Sequence, residues 1–474
     1  MTRQTSLTNF VDGKPDDAAS SERHDLVDPV TGAVYGTAPS SDEAAVDAAM
    51  RSAATAFERW RATTPAERQA MLLRVADALA EHLPELAAAE LRQTGSRAAA
   101  GEIPLAGDQL RFFAGAARVL PGLAAGEYAQ GHTSYVRREP LGVCAQLAPW
   151  NYPMMMAVLK SAPALAAGNT VVLKPAETTP ATALRYAEIA AEFLPPGVLN
   201  VVCGGPETGR LMVAHPVPAA VALTGSIATG IDVATTAAGG LKRAQLELGG
   251  KTPVVVCADA DLDAVVSGIV TGALSNAGQD CTAASRVLVA DEIHDELLAA
   301  LAKAVAAVRT GGPDDEGAMY GPLNNADQFA RVSGFVETLP AHARVVTGGR
   351  RVGTAGYFFA PTIIAGVRDD DRVSTEEIFG PVITVQRFGS EAEAVRSANS
   401  VVHGLASSVW TTDHARAMRL STQLDFGCVW VNTHLMFPTE MPHGGFKHSG
   451  YGKDLSLYGL EEYTRVKHVM HRYA

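Results

Sequence analysis

The sequence is short of the residues that build special-purpose proteins. Five cysteines in 474 residues (Cys144, Cys203, Cys257, Cys281 and Cys428) form no C-x-x-C and no paired spacing. That argues against a secreted disulfide framework and against a cysteine-based zinc site. A basic block is missing too: 39 Lys+Arg stand against 51 Asp+Glu, a net charge of −12. Such a chain is a poor electrostatic match for nucleic acid or an anionic membrane. Residues 1–25 are polar and mixed in charge and show no signal peptide. Two long uncharged stretches, 141–159 and 211–231, carry prolines and polar groups (Pro149, Asn151, Pro153; Pro216, Pro218) that no lipid-facing helix holds cheaply. Low-complexity linkers and short repeats do not occur. What remains is an ordinary globular balance, 47% apolar and 19% charged, with length for two or three domains. The expected setting is the cytoplasm.

The first third of the chain reads as helical by its Ala-rich periodicity. Two starts look like capping boxes: Ser40 with Glu43, and Thr64 with Glu67 behind Pro65. A further helix is expected over 102–118, and a two-strand excursion over 127–140 that turns near Gly131. From 141 to 247, short apolar runs (171–173, 198–203, 219–223) alternate with turns and helices, the sign of a parallel α/β sheet. A second series follows, with strands over 253–257, 286–289, 381–385 and 407–410 and helices over 261–272, 294–309, 391–398 and 415–424. The tail ends in an expected strand, 464–470, and the mixed-charge stretch 14–23 reads as an edge or mobile segment. The pattern predicts an α/β protein with two α/β domains and a small protruding sheet made from two distant segments.

No G-x-G-x-x-G occurs, so the standard dinucleotide fingerprint is missing. Residues 223–230 read instead as strand, glycine turn (Gly225, Ser226) and helix: either a phosphate-accepting helix start or a plain β–α turn. Lys174-Pro175-Ala176-Glu177 follows a strand, where ligands bind in open α/β sheets; its Lys suits a phosphate or hydroxyl and its Glu a ribose diol, unless both are a solvated loop pair. Cys281 stands in a small polar loop, unlike Cys203 and Cys257 in apolar runs, which makes it a candidate nucleophile rather than an inert thiol. Glu247 lies between two leucines ahead of Gly249-Gly250. Apolar flanks raise a carboxyl pKa toward that of a general base, the alternative being an edge-strand side chain facing water. Asn151, in the proline-framed loop Pro149-Trp150-Asn151-Tyr152-Pro153, can donate to an oxyanion or merely cap a turn. The pairs His443/His448 and His468/His471 have no completing carboxylate or Cys, so no metal is expected.

Taken together, these segments resemble the aldehyde dehydrogenase superfamily over essentially the whole chain. Seven motifs in family order carry the resemblance: Pro149-Trp150-Asn151, Lys174-Pro175-Ala176-Glu177, Thr224-Gly225-Ser226, Glu247-Leu248-Gly249-Gly250-Lys251, Gly278-Gln279-Asp280-Cys281, Glu377-Ile378-Phe379-Gly380-Pro381 and Gly444-Gly445-Phe446-Lys447-His448-Ser449-Gly450. Stretches 111–118, 127–138, 440–445 and 455–460 look closer still to the bacterial 4-aminobutyraldehyde dehydrogenases. The resemblance implies two Rossmann-like domains, one for cofactor (1–118 with 141–247) and one for catalysis (248–447), plus an oligomerisation segment (119–140 with 448–474). It implies NAD-dependent oxidation of an aldehyde to its acid through a thiohemiacetal and a thioester on Cys281, with Asn151 holding the oxyanion and Glu247 activating water. Lys174 and Glu177 match adenine-ribose contacts, Ser226 a pyrophosphate contact, and Glu377 with Phe379 the nicotinamide-ribose clamp; Trp150, Gly225 and Leu248 match further cofactor positions. Lys160 and Asp454 match a proton-transfer pair, with Asp454 where a Glu, one methylene longer, is usual.

The implied substrate is a short aldehyde with a cationic far end, of the 4-aminobutyraldehyde type. Asp280, Tyr152, Phe437 and His443 match tunnel positions, and Glu102 and Leu105 fall on a helix bordering the entrance. Leu159 replaces a bulky aromatic of some relatives, so aromatic or other aliphatic aldehydes are the alternative. Glu247 speaks against a coenzyme-A-acylating relative, and intact Cys281, Asn151 and Glu247 against a catalytically silent one. Glu177 repels a 2′-phosphate, so NAD is expected over NADP. A homotetramer is expected, because 127–138 and 464–470 read as strands with no core of their own. Neither nucleic acid nor membrane is an expected partner.

Overall fold

A computed structural model of the chain describes residues 5–16 and 22–473. Residues 1–4 and 17–21, part of the stretches read for a leader and for an edge segment, lie outside the described residues. Two large sheets form the body. The first is eight-stranded, and its five central strands run parallel in the order Arg243–Leu248, Ala220–Gly225, Val143–Leu147, Thr170–Lys174 and Leu199–Val201. Antiparallel short strands close it, Gly450–Tyr451 at one edge and Asn9–Val11 with Lys14–Asp16 at the other. The strands Val143–Leu147 and Thr170–Lys174 are buried along their whole length, as parallel strands covered on both faces must be. Helices cover both faces. Trp60, Phe113, Leu165 and Tyr186 fill one side, and Val46, Met50, Val221 and Leu246 the other.

The second sheet is seven-stranded and parallel except for its edge strand Arg344–Thr347; Thr362–Ala365, Val382–Phe388, Arg286–Ala290, Pro253–Val256, Ala406–Trp410 and Cys428–Val431 follow in order. A three-stranded antiparallel sheet stands apart: Thr464–Arg472, His132–Pro140 and Gly126–Ala129, with Gly131 in its turn at φ 73°. Within the segment 448–474, only Thr464–Arg472 joins this small sheet. Gly450–Tyr451 pairs with Leu246 and Glu247, and Leu455, Leu460 and Tyr463 enter the core of the first large sheet. No helix among the described residues is long and apolar enough to cross a membrane.

Some local readings change. Thr64 and Glu67 do make a capping box with Pro65 in the first turn. Ser40 does not cap: the first helix, Glu43–Trp60, is capped by Asp42, whose Oδ1 accepts from the Ala45 N–H at 3.0 Å. The helical reading of the first third fails before residue 40, where Arg23–Val27, Val34–Pro39 and Thr5–Ser6 form a further three-stranded sheet. Those strands are short and mostly exposed on one side, so they carry little periodic signal.

Candidate functional site

In an open α/β sheet, ligands bind beyond the carboxyl ends of the strands, where the strand order reverses. The first large sheet reverses beside Val143–Leu147: the next strands in sequence, Thr170–Lys174 and Leu199–Val201, lie on one side, and Ala220–Gly225 and Arg243–Leu248 on the other. Trp150 and Asn151 follow the first of these strands, Lys174 ends the second, Gly225 and Ser226 end Ala220–Gly225, and Glu247 and Leu248 end Arg243–Leu248. Residues scattered over a hundred positions therefore meet in one groove.

The groove consists of two adjoining clefts of 560 and 570 Å³ that share Trp150, Gly225 and Ser226. The first holds Lys174 and Glu177. Buried Lys174 donates from Nζ to the carbonyls of Pro175 (3.0 Å) and Gly204 (2.8 Å), and burial pushes its pKa down. The Glu177 loop is held from behind, its carbonyl 2.8 Å from His24 Nε2. Ser226 caps the helix Ile227–Gly239, with Oγ accepting from the Thr229 N–H at 3.2 Å.

The second cleft gathers Trp150, Asn151, Glu247, Leu248, Cys281, Glu377 and Phe379. Glu377 accepts from the Gly250 N–H at 2.9 Å, yet burial pushes its pKa up to about 7. Phe379 is held at φ 60°, a left-handed conformation uncommon for a bulky residue, with its ring edge-to-face on Trp150 at 5.3 Å. The two glycines after Leu248 are required by close approach. A Cβ on Gly249 would lie 2.3 Å from Glu377 Oε2, and one on Gly250 would lie 2.1 Å from the Cys281 carbonyl oxygen.

Cys281 is half-buried at the foot of this cleft. Burial raises its thiol pKa well above the ordinary range, and the charges of Asp280, Glu377 and Glu247 add to the shift. Asn151 donates from Nδ2 to the Gln279 carbonyl at 3.0 Å, and Asn276 Nδ2 donates to the Asn151 carbonyl at 2.8 Å. A side-chain amide is thereby fixed beside the cysteine loop. Glu247 is 4% exposed, and neither of its carboxylate oxygens has a hydrogen-bond partner among the described residues. Burial and the like charge of Asp454 hold its pKa well above the carboxylate range.

Behind Glu247 lies a hydrogen-bonded cluster. Lys160 Nζ donates to Asp454 Oδ2 at 2.9 Å with both side chains buried, and Gln245 Nε2 donates to Asp454 Oδ1 at 2.7 Å. The Tyr463 hydroxyl donates to Gln245 Oε1 (3.0 Å) and accepts from Gln146 Nε2 (3.1 Å). The shorter Asp454 thus still reaches Lys160. Gln245, Gln146 and Tyr463 were not singled out in the sequence, because neutral side chains on buried strands and a tail carry no motif.

Asp280 is occupied within the protein. Its Oδ2 accepts from the Tyr152 hydroxyl (2.9 Å), and its Oδ1 accepts from the Thr282 N–H (2.8 Å) and hydroxyl (2.6 Å). Phe437 lies edge-to-face between Trp430 (5.2 Å) and His443 (5.1 Å), and His443 and Asp454 exchange backbone hydrogen bonds at 2.9 and 2.8 Å. Glu102 is not at a rim. It is 3% exposed, and burial together with the neighbouring charge of Glu90 holds its pKa well above the carboxylate range. Leu105, three residues on in the helix Ala99–Ala116, is 53% exposed. The same helix is tied to the Phe437 loop by the Thr439 hydroxyl, which donates to Asp108 Oδ2 at 3.0 Å.

The fold recurs in known proteins. A model of the aldehyde dehydrogenase family matches residues 17–469. An NAD-dependent aldehyde dehydrogenase from Sinorhizobium meliloti is 38% identical, covering 99% of this chain and 95% of its own, with a TM-score of 0.97. A variant aldehyde dehydrogenase from Bacillus cereus is 35% identical over 99% of this chain and 97% of its own, with a TM-score of 0.96. A betaine aldehyde dehydrogenase from Staphylococcus aureus, solved with NAD+, is 33% identical over 98% and 97% with a TM-score of 0.96. A family model spanning nearly the full length, on a fold shared with these enzymes from end to end, makes this chain a member of the aldehyde dehydrogenase family.

Proposed function

We propose that the chain oxidises an aldehyde to its carboxylic acid with NAD as acceptor and Cys281 as nucleophile. The donor set of the groove suits a dinucleotide: the cation Lys174 and the Ser226 helix start lie at one cleft, and the carboxyls Glu177 and Glu377 stand ready for hydroxyl groups at either end. When bound, NAD supplies the hydride acceptor. Cys281, its thiol proton lost to water, adds through the Sγ thiolate to the aldehyde carbon, and Asn151 Nδ2–H with the Cys281 backbone N–H donates to the oxygen that gains charge. Loss of hydride from that carbon leaves a thioester on Sγ. Glu247 then takes a proton from water, the hydroxyl adds to the thioester carbon, and the acid leaves as the thiol is restored. Lys160 and Asp454 carry the proton onward from Glu247.

The observation that carries this reading is Glu247, a buried carboxyl without a partner, in the same cleft as Cys281 and Asn151. An assay with aldehyde and NAD but no coenzyme A tests it. Reduced-nicotinamide absorbance should rise steadily, whereas a rise that requires coenzyme A would point to thiol acyl transfer instead.

For the substrate we propose a short ω-amino aldehyde of the 4-aminobutyraldehyde type. Asp280 supplies a carboxylate, and Tyr152, Phe437 and His443 supply ring faces and polar edges, a setting that favours an ammonium. The Staphylococcus relative is named for betaine aldehyde, itself a cationic aldehyde. Glu102 enters only indirectly, as a buried group on the helix that Thr439 ties to the Phe437 loop. Aldehydes of equal length ending in amino, methyl, carboxyl or phenyl groups decide the matter, and a preference for the phenyl member would replace the amino reading with the aromatic one. A homo-oligomer, the tetramer of the family, is proposed as well. Its support is the small sheet's nine-residue edge strand Thr464–Arg472, which is exposed over most of its length. A monomeric mass by light scattering at micromolar concentration would exclude it.

A further inference from the structure

Away from the groove, a cleft of 620 Å³ opens between the start of the helix Pro65–Glu81, the chain after the helix Ala99–Ala116, and the small-sheet strand His132–Pro140. That volume is in the range of small-molecule sites. Five guanidinium groups line it (Arg61, Arg68, Arg118, Arg137 and Arg138) against two carboxylates, Glu58 and Glu139. In a chain of net charge −12 this is a local reversal of sign.

The carboxylates do little to neutralise it. Glu139 is already held by Lys467 at 2.6 Å and Arg465 at 3.5 Å, and Arg137 is 3.9 Å away. Glu58 makes no ion pair among the described residues. Arg138 is satisfied by Glu461 at 3.2 Å and by the Pro121 carbonyl and Thr464 hydroxyl. The others are not. Arg61 rests on the Phe57 ring, and among the described residues Arg118 meets only the neutral Gln69.

Arg68 is the decisive group. Its side chain is inside the protein (7% exposed), its Nε donates to the Ala166 carbonyl at 2.8 Å and its Nη1 to the Thr63 carbonyl at 2.6 Å. No carboxylate pairs with it among the described residues, and its Nη2 has no partner there. The neighbouring Glu67 acts on it only from beyond ion-pair distance, and burying a cation without a directly bonded counter-charge is costly unless something else supplies the anion. Two carbonyls fix the guanidinium plane, so the remaining N–H groups are pre-oriented toward the cleft it lines, in the fork geometry that matches phosphate and carboxylate oxygens.

We propose that this cleft is a second ligand site, for a small anion bearing two or more negative charges on phosphate or carboxylate groups. Arg68 is its fixed anchor, and Arg61, Arg118 and Arg137 close over the ligand. The cleft lies between the body and the small sheet, whose strand His132–Pro140 supplies Arg137 and Arg138.

The test is calorimetric titration of the intact protein with pyrophosphate and, separately, citrate, at low ionic strength and with NAD saturating so that the cofactor groove is filled. One anion should bind per chain, more weakly as salt is added. Arg118→Ala with Arg137→Ala should weaken it by roughly tenfold or more, while KM for NAD and kcat stay unchanged. Arg68→Met should abolish binding; should that variant misfold by circular dichroism, the exposed double variant carries the test alone. Stronger binding of pyrophosphate than of citrate assigns the phosphate class, and the reverse the carboxylate class. No binding of either, binding that NAD displaces, or binding indifferent to the arginines would overturn the proposal. So would binding confined to a dissociated form by light scattering, since the cleft would then hold a neighbouring subunit.

Discussion

Asp280 directly precedes Cys281 in its loop, Glu247 lies near the end of the strand Arg243–Leu248, and both raise the pKa of the Cys281 thiol. The two regions are built in opposite ways. Asp280 accepts from a backbone N–H and two hydroxyls, so its ionised form is already served by donors. Glu247 is as well hidden as a core leucine and accepts nothing. Just behind it, Lys160, Asp454, Gln245 and Tyr463 satisfy one another. A folded protein pairs its buried polar groups almost everywhere. Glu102, like Glu247, is buried without a partner among the described residues; Glu247 differs in sharing a cleft with Cys281, and it is there that the proposed mechanism has water complete the set. Asp280 ties its own loop together, whereas the proposed mechanism leaves Glu247 free to meet water.

The largest test of that contrast removes the group both carboxyls serve. Cys281→Ala should cut turnover at least ~10⁴-fold while NAD still binds. Wild-type rates in this variant would end the mechanism. Glu247→Gln comes next: steady turnover should fall by about 10²–10⁴-fold, with an initial burst of reduced cofactor preserved and the thermal midpoint unchanged or higher. A variant that turns over steadily removes Glu247 as the base. The pH profile sharpens this. Cys281 and Glu247 both have raised values, and both react as anions, so kcat/KM should climb as pH rises past the ordinary carboxylate range. A flat profile would contradict the raised values.

Asp280→Asn should show the reverse balance, losing about 1–3 kcal/mol of stability because Thr282 and Tyr152 forfeit an ionised acceptor. It should also lower kcat/KM more on 4-aminobutyraldehyde than on butyraldehyde; equal losses would leave Asp280 a purely structural acid. Glu177, a carboxylate at the far end of the groove, extends the comparison: Glu177→Ser should shift preference toward NADP by about tenfold, read as the ratio of kcat/KM values. The smallest effect belongs to Glu102. Its folded-state pKa is raised above the ordinary 4.5, so the native state keeps a proton that the unfolded chain loses, and stability falls as pH rises from there through the folded value. Glu102→Gln cannot ionise, so its thermal midpoint should gain on the wild type as pH increases. A gap that stays constant with pH would mean Glu102 carries charge in the native protein.

Local signals made much of this protein legible in its sequence. Alternation of short apolar runs with helices announces parallel sheets, because both faces of such a strand are covered. Thr64, Pro65 and Glu67 announce a helix start through bonds three residues apart. The strand-end motifs around Trp150, Lys174, Ser226 and Glu247 are short enough to stand out, and in an α/β sheet the ends of neighbouring strands converge whatever lies between them. Tertiary structure decided the rest, through contacts far apart along the chain. Lys160 finds Asp454 only when the tail folds back onto the first sheet, and Tyr152 captures Asp280 only when the start of the helix Pro153–Ala167 meets the Cys281 loop. The helix carrying Glu102 could have turned that carboxyl to water; the fold places it inside, beside Glu90. Asp42 displaced Ser40 as a cap for the same reason, since the chain's path from the preceding strand sets where the first turn begins. A sequence names the groups able to do chemistry; whether each is paired or left waiting depends on neighbours that only the fold supplies.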